Sequence, residues 1–143
     1  MIVVDANILL YAHDRRSPRH AAAAGWLTGV MDGPGPIGLS LATVLAFIRI
    51  ITDPRVYEVP RATDWAVQEV QRWVGRGNVR LIAPTDRHWE TLAGLLAAGK
   101  ARGSLVMDAH LAALTIEHGA TLATSDRDFA RFPGLRTIDP TAE

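Results

Sequence analysis

The chain has 143 residues, 48% of them hydrophobic and 21% charged, so its composition excludes disorder and its length predicts one domain spanning residues 1–143. It contains no cysteine, which excludes a disulfide framework, a thiolate zinc site and cysteine catalysis. Fifteen basic and fifteen acidic residues give zero net charge, so a bulk positive field for nucleic acid is not indicated. No segment resembles an export signal or a membrane span, and we expect a cytoplasmic protein.

Short apolar runs and helical patterns alternate along the chain. Strands are predicted at 2–4, 79–83 and 121–123, with a marginal strand at 136–138. Helical segments are predicted at 7–11, 18–30, 41–51, 63–74, 85–98, 105–118 and, as a short turn, 126–132. Because strands separated by helices pair in parallel, this order predicts an α/β sandwich.

Two acidic residues follow predicted strands. Asp5 comes directly after the first strand, and Asp126 follows the third strand after a two-residue turn. Sites in α/β sheets form at the carboxyl ends of the strands, so both carboxylates are expected at one edge. A third acid, Asp108, lies within the apolar stretch 105–111, where a carboxylate is costly unless it is paired or binds a metal.

Three carboxylates in one pocket repel each other, so either their pKa values rise or a divalent cation neutralises them. With oxygen ligands only, the ion is expected to be Mg²⁺ or Mn²⁺. Such an ion polarises a phosphoryl oxygen and activates water, which suits hydrolysis of a phosphodiester. The same residues have structural alternatives, because Asp5 can cap a helix, Asp126 can cap or stabilise a turn, and Asp108 can complement a helix dipole.

Two further acids are interpreted structurally. The spacing Ser125-x-x-Asp128 resembles a capping box, which favours a structural role for Asp128. Glu117 follows Asp108 by nine residues on the same predicted helix, so it faces the opposite way and is expected to be solvated. The five histidines are assigned no catalytic role, since no pair has the spacing of a zinc motif.

Three segments taken together resemble a known family. The segments 2–7 (Ile-Val-Val-Asp-Ala-Asn), 107–113 (Met-Asp-Ala-His-Leu-Ala-Ala) and 123–129 (Ala-Thr-Ser-Asp-Arg-Asp-Phe) resemble the PIN domain, especially VapC-type toxins of bacterial toxin–antitoxin pairs. The resemblance implies a three-layer α/β/α sandwich with a short, mostly parallel central sheet. It further implies an Mg²⁺- or Mn²⁺-dependent endoribonuclease that cuts RNA such as tRNA or rRNA, is inhibited by a VapB-type antitoxin and forms a homodimer.

The resemblance also assigns roles to individual residues. Asp5 and Asp108 match the family's principal metal ligands, and Asp126 matches a later acid of the same cluster. Asn7 and Thr124 match polar positions that support the cluster. For flanking phosphates of the RNA, the rim candidates are Arg15, Arg16, Arg102 and Arg127.

One position departs from the family pattern. Many PIN domains carry a glutamate that begins a Glu-x-x-Arg segment, whereas this chain has Ala46 three residues before Arg49. Either the aspartates suffice, or another acid such as Glu90 or Asp128 compensates, or activity is weakened. The alternative function is therefore a degenerate PIN domain that acts as a binding partner or co-repressor with its antitoxin. A phosphatase is disfavoured because the only lysine, Lys100, follows no strand.

Overall fold

The described part of the chain, residues 1–142 of a computed structural model, folds around five short strands. Residue 143, which the single-domain prediction includes, lies outside it. The strands are β1 (Ile2–Val4), β2 (Ile37–Ser40), β3 (Val79–Ile82), β4 (Thr121–Ala123) and β5 (Thr137–Ile138). The α-helices are α1 (Ala6–His13), α2 (His20–Asp32), α3 (Leu41–Ile51), α4 (Thr63–Val74), α5 (His88–Ala98) and α6 (Leu105–Glu117), and a 3-10 helix covers Arg127–Arg131. Within residues 1–142, none of these helices is long and apolar enough to cross a membrane.

All neighbouring strands pair in parallel, in the order β3-β2-β1-β4-β5. The chain first builds outward from β1 to β3 and then returns to the other side of β1 with β4. This reversal creates a topological switch point between β1 and β4, where parallel sheets open a crevice beyond the carboxyl ends of the strands. Val4 pairs with Ala123 across this point, so Asp5 and Thr124 follow side by side.

Apolar side chains cover both faces of the sheet. On one face, Val4 and Leu39 pack with buried residues of α1 to α4, among them Phe47 and Trp73. On the other face, Val3 and Leu122 pack with α5, α6, Phe129 of the 3-10 helix and Phe132, which follows it. The predicted three-layer α/β/α sandwich is confirmed, and the sheet is parallel throughout.

The sequence reading missed β2. All four of its residues are buried, and its last residue, Ser40, also caps α3 by accepting the N–H of Thr43 at 2.9 Å. Strand and helix therefore follow each other without a polar loop, and the segment resembles one apolar run. At Gly38, in the middle of the strand, an added Cβ would lie 2.9 Å from the Met1 sulfur, 3.2 Å from Ile82 and 3.3 Å from Val3, so the packing around it is tight.

Candidate active site

Asp5 lies at the switch point, immediately after β1. Its N–H donates to the Ala123 carbonyl at 3.0 Å, which continues the pairing with β4 by one residue. Asp5 occupies the position before α1, but its side chain makes no capping hydrogen bond. Instead, Oδ2 accepts the hydroxyl of Thr124 at 2.7 Å. The carboxylate is thus fixed across the sheet, and capping does not explain it.

Thr124 joins the two acidic strand ends. Its oxygen also accepts the N–H of Asp126 at 3.0 Å. Asp126 in turn caps the 3-10 helix, because its Oδ1 accepts the N–H of Asp128 at 2.9 Å. The capping box predicted from Ser125 and Asp128 is therefore wrong, since the capping residue is Asp126. The supporting position predicted for Thr124 coincides with contacts to both acids.

Mutual repulsion is visible in the electrostatics of the acids. The pKa of Asp108 is raised to about 6, chiefly by burial and then by the nearby charges of Asp126, Asp5 and Asp128, whereas Arg131 acts in the opposite direction. Burial also raises the pKa of Asp5, with a contribution from Asp126, while the Thr124 hydrogen bond and the Ala6 N–H act against it. The carboxylates predicted from separate segments are therefore close enough to influence each other's pKa. The fold brings them together although α6, which carries Asp108, begins about a hundred residues after β1.

The donor chemistry of this region fits a hard divalent cation. Asp5 and Asp108 line one cavity, and both supply carboxylate oxygens. The amide oxygen of Asn7, in the first turn of α1, is buried and has no hydrogen-bond partner among the described residues. Across residues 1–142, however, no three His, Cys, Asp or Glu side chains form a ready-made metal-binding group. Because Mg²⁺ is commonly held by one or two carboxylates and several waters, two acids are a sufficient protein contribution.

The four predicted arginines occupy different places. Arg15 and Arg16 follow the far end of α1, an eight-residue helix about 12 Å long whose other end adjoins Asp5. They line a separate pocket, where Arg16 donates to Glu58 at 3.0 Å. Arg102 lies in the connection before α6, and exposed Arg127 lies beside Asp126 in another pocket.

Two arginines near the acids were missed by the sequence reading. Arg131 acts electrostatically on Asp108 while donating to the Gly99 carbonyl at 2.9 Å. Arg49 lines the cavity that contains Asp5 and Asp108. The Ala46–Arg49 spacing was a usable signal, because residues three apart on a helix share a face.

Glu117 faces away from Asp108 as predicted, but the expectation that it is solvated is wrong. Its side chain is only 4% exposed, because it packs against the connection from β3 and against α5. It accepts the Thr85 N–H and the His88 Nδ1–H, each at 2.9 Å. Glu90, considered as a compensating acid, instead pairs with Arg87 on the exposed side of α5.

Comparison with known proteins identifies the fold family. The PIN domain family model matches residues 2–135, which is nearly all of the chain. The chain belongs to the PIN domain family. The resemblance drawn from its three acidic motifs is thereby confirmed.

Full-length relatives and solved structures agree with this PIN assignment. The chain is 38% identical over 142 residues to ribonuclease VapC37 of Mycobacterium tuberculosis, covering 99% of each protein. It matches the structure of Mycobacterium tuberculosis VapC20, a sarcin-ricin loop cleaving toxin, with a TM-score of 0.68 and 19% identity over 95% of this chain and 99% of that one. A toxin–antitoxin complex from Klebsiella pneumoniae contains a chain matched at a TM-score of 0.66 and 20% identity over 98% of both.

Proposed function

We propose that this PIN domain is a VapC-type endoribonuclease toxin that hydrolyses RNA phosphodiester bonds with Mg²⁺ or Mn²⁺. The observation that carries the proposal is that Asp5 and Asp108 line one cavity at the carboxyl edge of the sheet, and the charge of Asp5 helps raise the pKa of Asp108. The full-length similarity to named VapC ribonucleases supports RNA as the substrate.

Each polar residue of the site has a distinct part in this proposal. Asp5 and Asp108 would hold the cation, and Thr124 orients the Asp5 carboxylate through its 2.7 Å hydrogen bond. Asp126 keeps one carboxylate oxygen in its capping bond and leaves the other for the ion or its waters. When bound, the cation supplies a polarised phosphate oxygen and an activated water. Asn7 adds an unsatisfied buried oxygen nearby, and Asp128 adds negative charge.

Arginine contacts to RNA complete the substrate proposal. Arg127 and Arg102 are exposed and suited to phosphates next to the cut. Arg15 and Arg16 would contact RNA only at a distance from the acids, beyond the far end of α1. Since the chain has zero net charge, binding depends on these local contacts and should weaken with salt in proportion to their number.

The protein partners are part of the same proposal. A VapB-type antitoxin would inhibit the toxin, as the similarity to a chain of a toxin–antitoxin complex supports. We also propose a homodimer acting in the cytoplasm. Leu41 and Trp89, which are 60% and 72% exposed, are large apolar side chains available to a protein partner.

A cleavage assay tests the catalytic assignment. Structured RNA is incubated with the purified chain in Mg²⁺ or Mn²⁺ and, separately, in EDTA. Asp5→Asn and Asp108→Asn should each lower the rate at least about 100-fold, whereas Asp86→Asn, an exposed control before α5, should not. Cleavage that survives both site variants, or that persists in EDTA, would refute the assignment.

The alternative of a non-catalytic binding partner rests on Ala46, which replaces the glutamate of many PIN domains. Thermal melting separates the two functions. A ligand that binds only the folded state raises the apparent stability, so Mg²⁺ or Mn²⁺ should raise the melting temperature of the wild type and not of Asp5→Asn. No effect of either ion, together with no cleavage, would favour the binding partner.

A further inference from the structure

A cavity of about 650 Å³ opens beside Asp5 and Asp108. Its size lies within the range of small-molecule sites in proteins. Most of its wall comes from apolar side chains of α3 and α6, including Leu45, Ile48 and Met107. Leu45 and Met107 are 57% and 56% exposed. This apolar surface lies directly against two repelling carboxylates, and a hydrated cation does not need it.

RNA offers three kinds of chemical group to such a site: phosphate, ribose and base. Only the base has large apolar faces, so it is the part that matches Leu45, Ile48 and Met107. Proteins recognise RNA sequence chiefly through single-stranded bases that are splayed out of the helix and packed into pockets. A phosphate at the acids would place the base of an adjoining nucleotide within reach of this wall.

Ala46 keeps the cavity open. It lines the cavity together with the two acids and Arg49, and its side chain is only a methyl group. A longer acidic side chain at this position would extend into the cavity and add a third negative charge. With alanine, the cavity keeps apolar volume beside the two carboxylates.

Polar groups at the cavity provide charge complementarity and selectivity. Arg49 is exposed and forms no salt bridge with any residue between 1 and 142, although its charge helps lower the pKa of Asp53, so its guanidinium is available to a phosphate or to the face of a base. Thr43 lines the cavity, and its hydroxyl pairs with that of Ser40 at 3.0 Å, where either hydroxyl can donate and a rotation of Thr43 frees its proton. That proton can be donated to the edge of a base.

We propose that this cavity binds one unpaired nucleobase next to the scissile phosphate and that Ala46 determines which base is accepted. The inference rests on the proposed ribonuclease function and deepens it, because it assigns a source of sequence preference. Leu45, Ile48 and Met107 pack on the base, Thr43 contacts its edge, and Arg49 neutralises a flanking phosphate.

Neutral nucleosides test the pocket without the metal and without catalysis. Adenosine, guanosine, cytidine and uridine are titrated separately into the ¹⁵N-labelled full chain, and amide shifts are recorded by NMR. At least one nucleoside should bind in the millimolar range and shift amides of α3 and of the start of α6. Ala46→Phe should weaken this binding at least about tenfold, whereas Ala22→Phe, an exposed alanine of α2, should leave it unchanged.

Folding and oligomeric state are measured on the same samples. Melting temperature and light scattering should be similar for the wild type and both phenylalanine variants. If Ala46→Phe changes the oligomeric state, the cavity belongs to an interface between copies and the proposal is overturned. Should Ala46→Phe fail to fold, Ala46→Leu replaces it with the same expected loss of nucleoside binding.

RNA cleavage separates failure of this inference from failure of the proposed function. Relative to the wild type, Ala46→Phe should change the preference for one nucleotide flanking the cut about tenfold compared with the other cleaved sites. If the wild type cleaves RNA but binds none of the four nucleosides, the proposed base-binding cavity is refuted and the proposed ribonuclease function is not. Absence of cleavage with either ion overturns the ribonuclease, and the nucleoside titration still decides whether the cavity binds a base.

Discussion

Replacing Asp108 by asparagine should stabilise the folded chain above pH 7 when no divalent cation is present. Folding raises the pKa of Asp108 from 3.8 to about 6, so the folded state holds this proton more tightly than the unfolded state. The stability that the protonated carboxyl contributes is complete below about pH 4 and is lost as the pH rises through about 6. Asparagine has no proton to lose and avoids this loss.

The expected gain in unfolding free energy follows from the size of the pKa shift of Asp108. A rise from 3.8 to about 6 corresponds to roughly 3 kcal/mol of unfolding free energy. Since the carboxyl group is only half buried, solvent screening reduces this to about 1–2 kcal/mol. In a chain of 143 residues, that gain corresponds to a rise in melting temperature of about 3–6 °C.

Urea denaturation in EDTA between pH 4 and pH 8 measures the effect. The stability difference between Asp108→Asn and the wild type should be largest at pH 8 and disappear near pH 4, while Asp86→Asn should show no such trend. A variant that is no more stable than the wild type at pH 8, or a gain that persists unchanged at pH 4, would refute the electrostatic argument. Mg²⁺ should reduce the gain, because it stabilises only the chain that keeps the carboxylate.

Two further predictions concern packing around α5. Glu117→Gln should cost about 1–3 kcal/mol in urea denaturation, because the nearly buried carboxylate loses its charge-assisted hydrogen bonds to Thr85 and His88, whereas exposed Glu90→Gln should change the stability by less than about 0.5 kcal/mol. Gly99→Ala should also destabilise, by about 1–3 kcal/mol, because a Cβ there would lie 2.8 Å from the Phe132 ring. Its control, Gly94→Ala, has open space around the new Cβ in mid-helix and should stabilise by about 0.5–1 kcal/mol. Each variant is compared with its control by urea denaturation. Equal changes in unfolding free energy for Glu117→Gln and Glu90→Gln, or for Gly99→Ala and Gly94→Ala, would contradict the packing described.

The acidic site could be anticipated because its position follows from the order of strands and helices. Asp5 and Asp126 each follow a strand, and parallel pairing alone directs both toward the same edge of the sheet. The place of Asp108 was accessible for a different reason, since a carboxylate in an apolar helix needs a partner. Arg131 was not accessible in this way, because it reaches the acids from the 3-10 helix through a tertiary contact.

Other features depend on contacts that the sequence does not encode locally. The strand β2 has no polar boundary before α3, since Ser40 is at once the last residue of the strand and the cap of the helix. For Glu117, helical periodicity predicts the direction of the side chain but not which residues of the folded chain cover it. Its burial comes from Thr85 and His88, which precede it by about thirty residues and meet it only through the packing of α5 on α6.

The hydrogen bond between Thr124 and Asp5 joins residues 119 positions apart. A nascent polypeptide that has emerged only as far as the loop before α6 already contains Asp5 and the α3 wall, yet it lacks Asp108, Thr124 and Asp126. Under the proposed function, nearly the whole chain must therefore be synthesised before the acidic site is complete. Two fragments divided at that loop would each lack part of the acidic site and, under the same proposed function, should regain cleavage only when they reassemble.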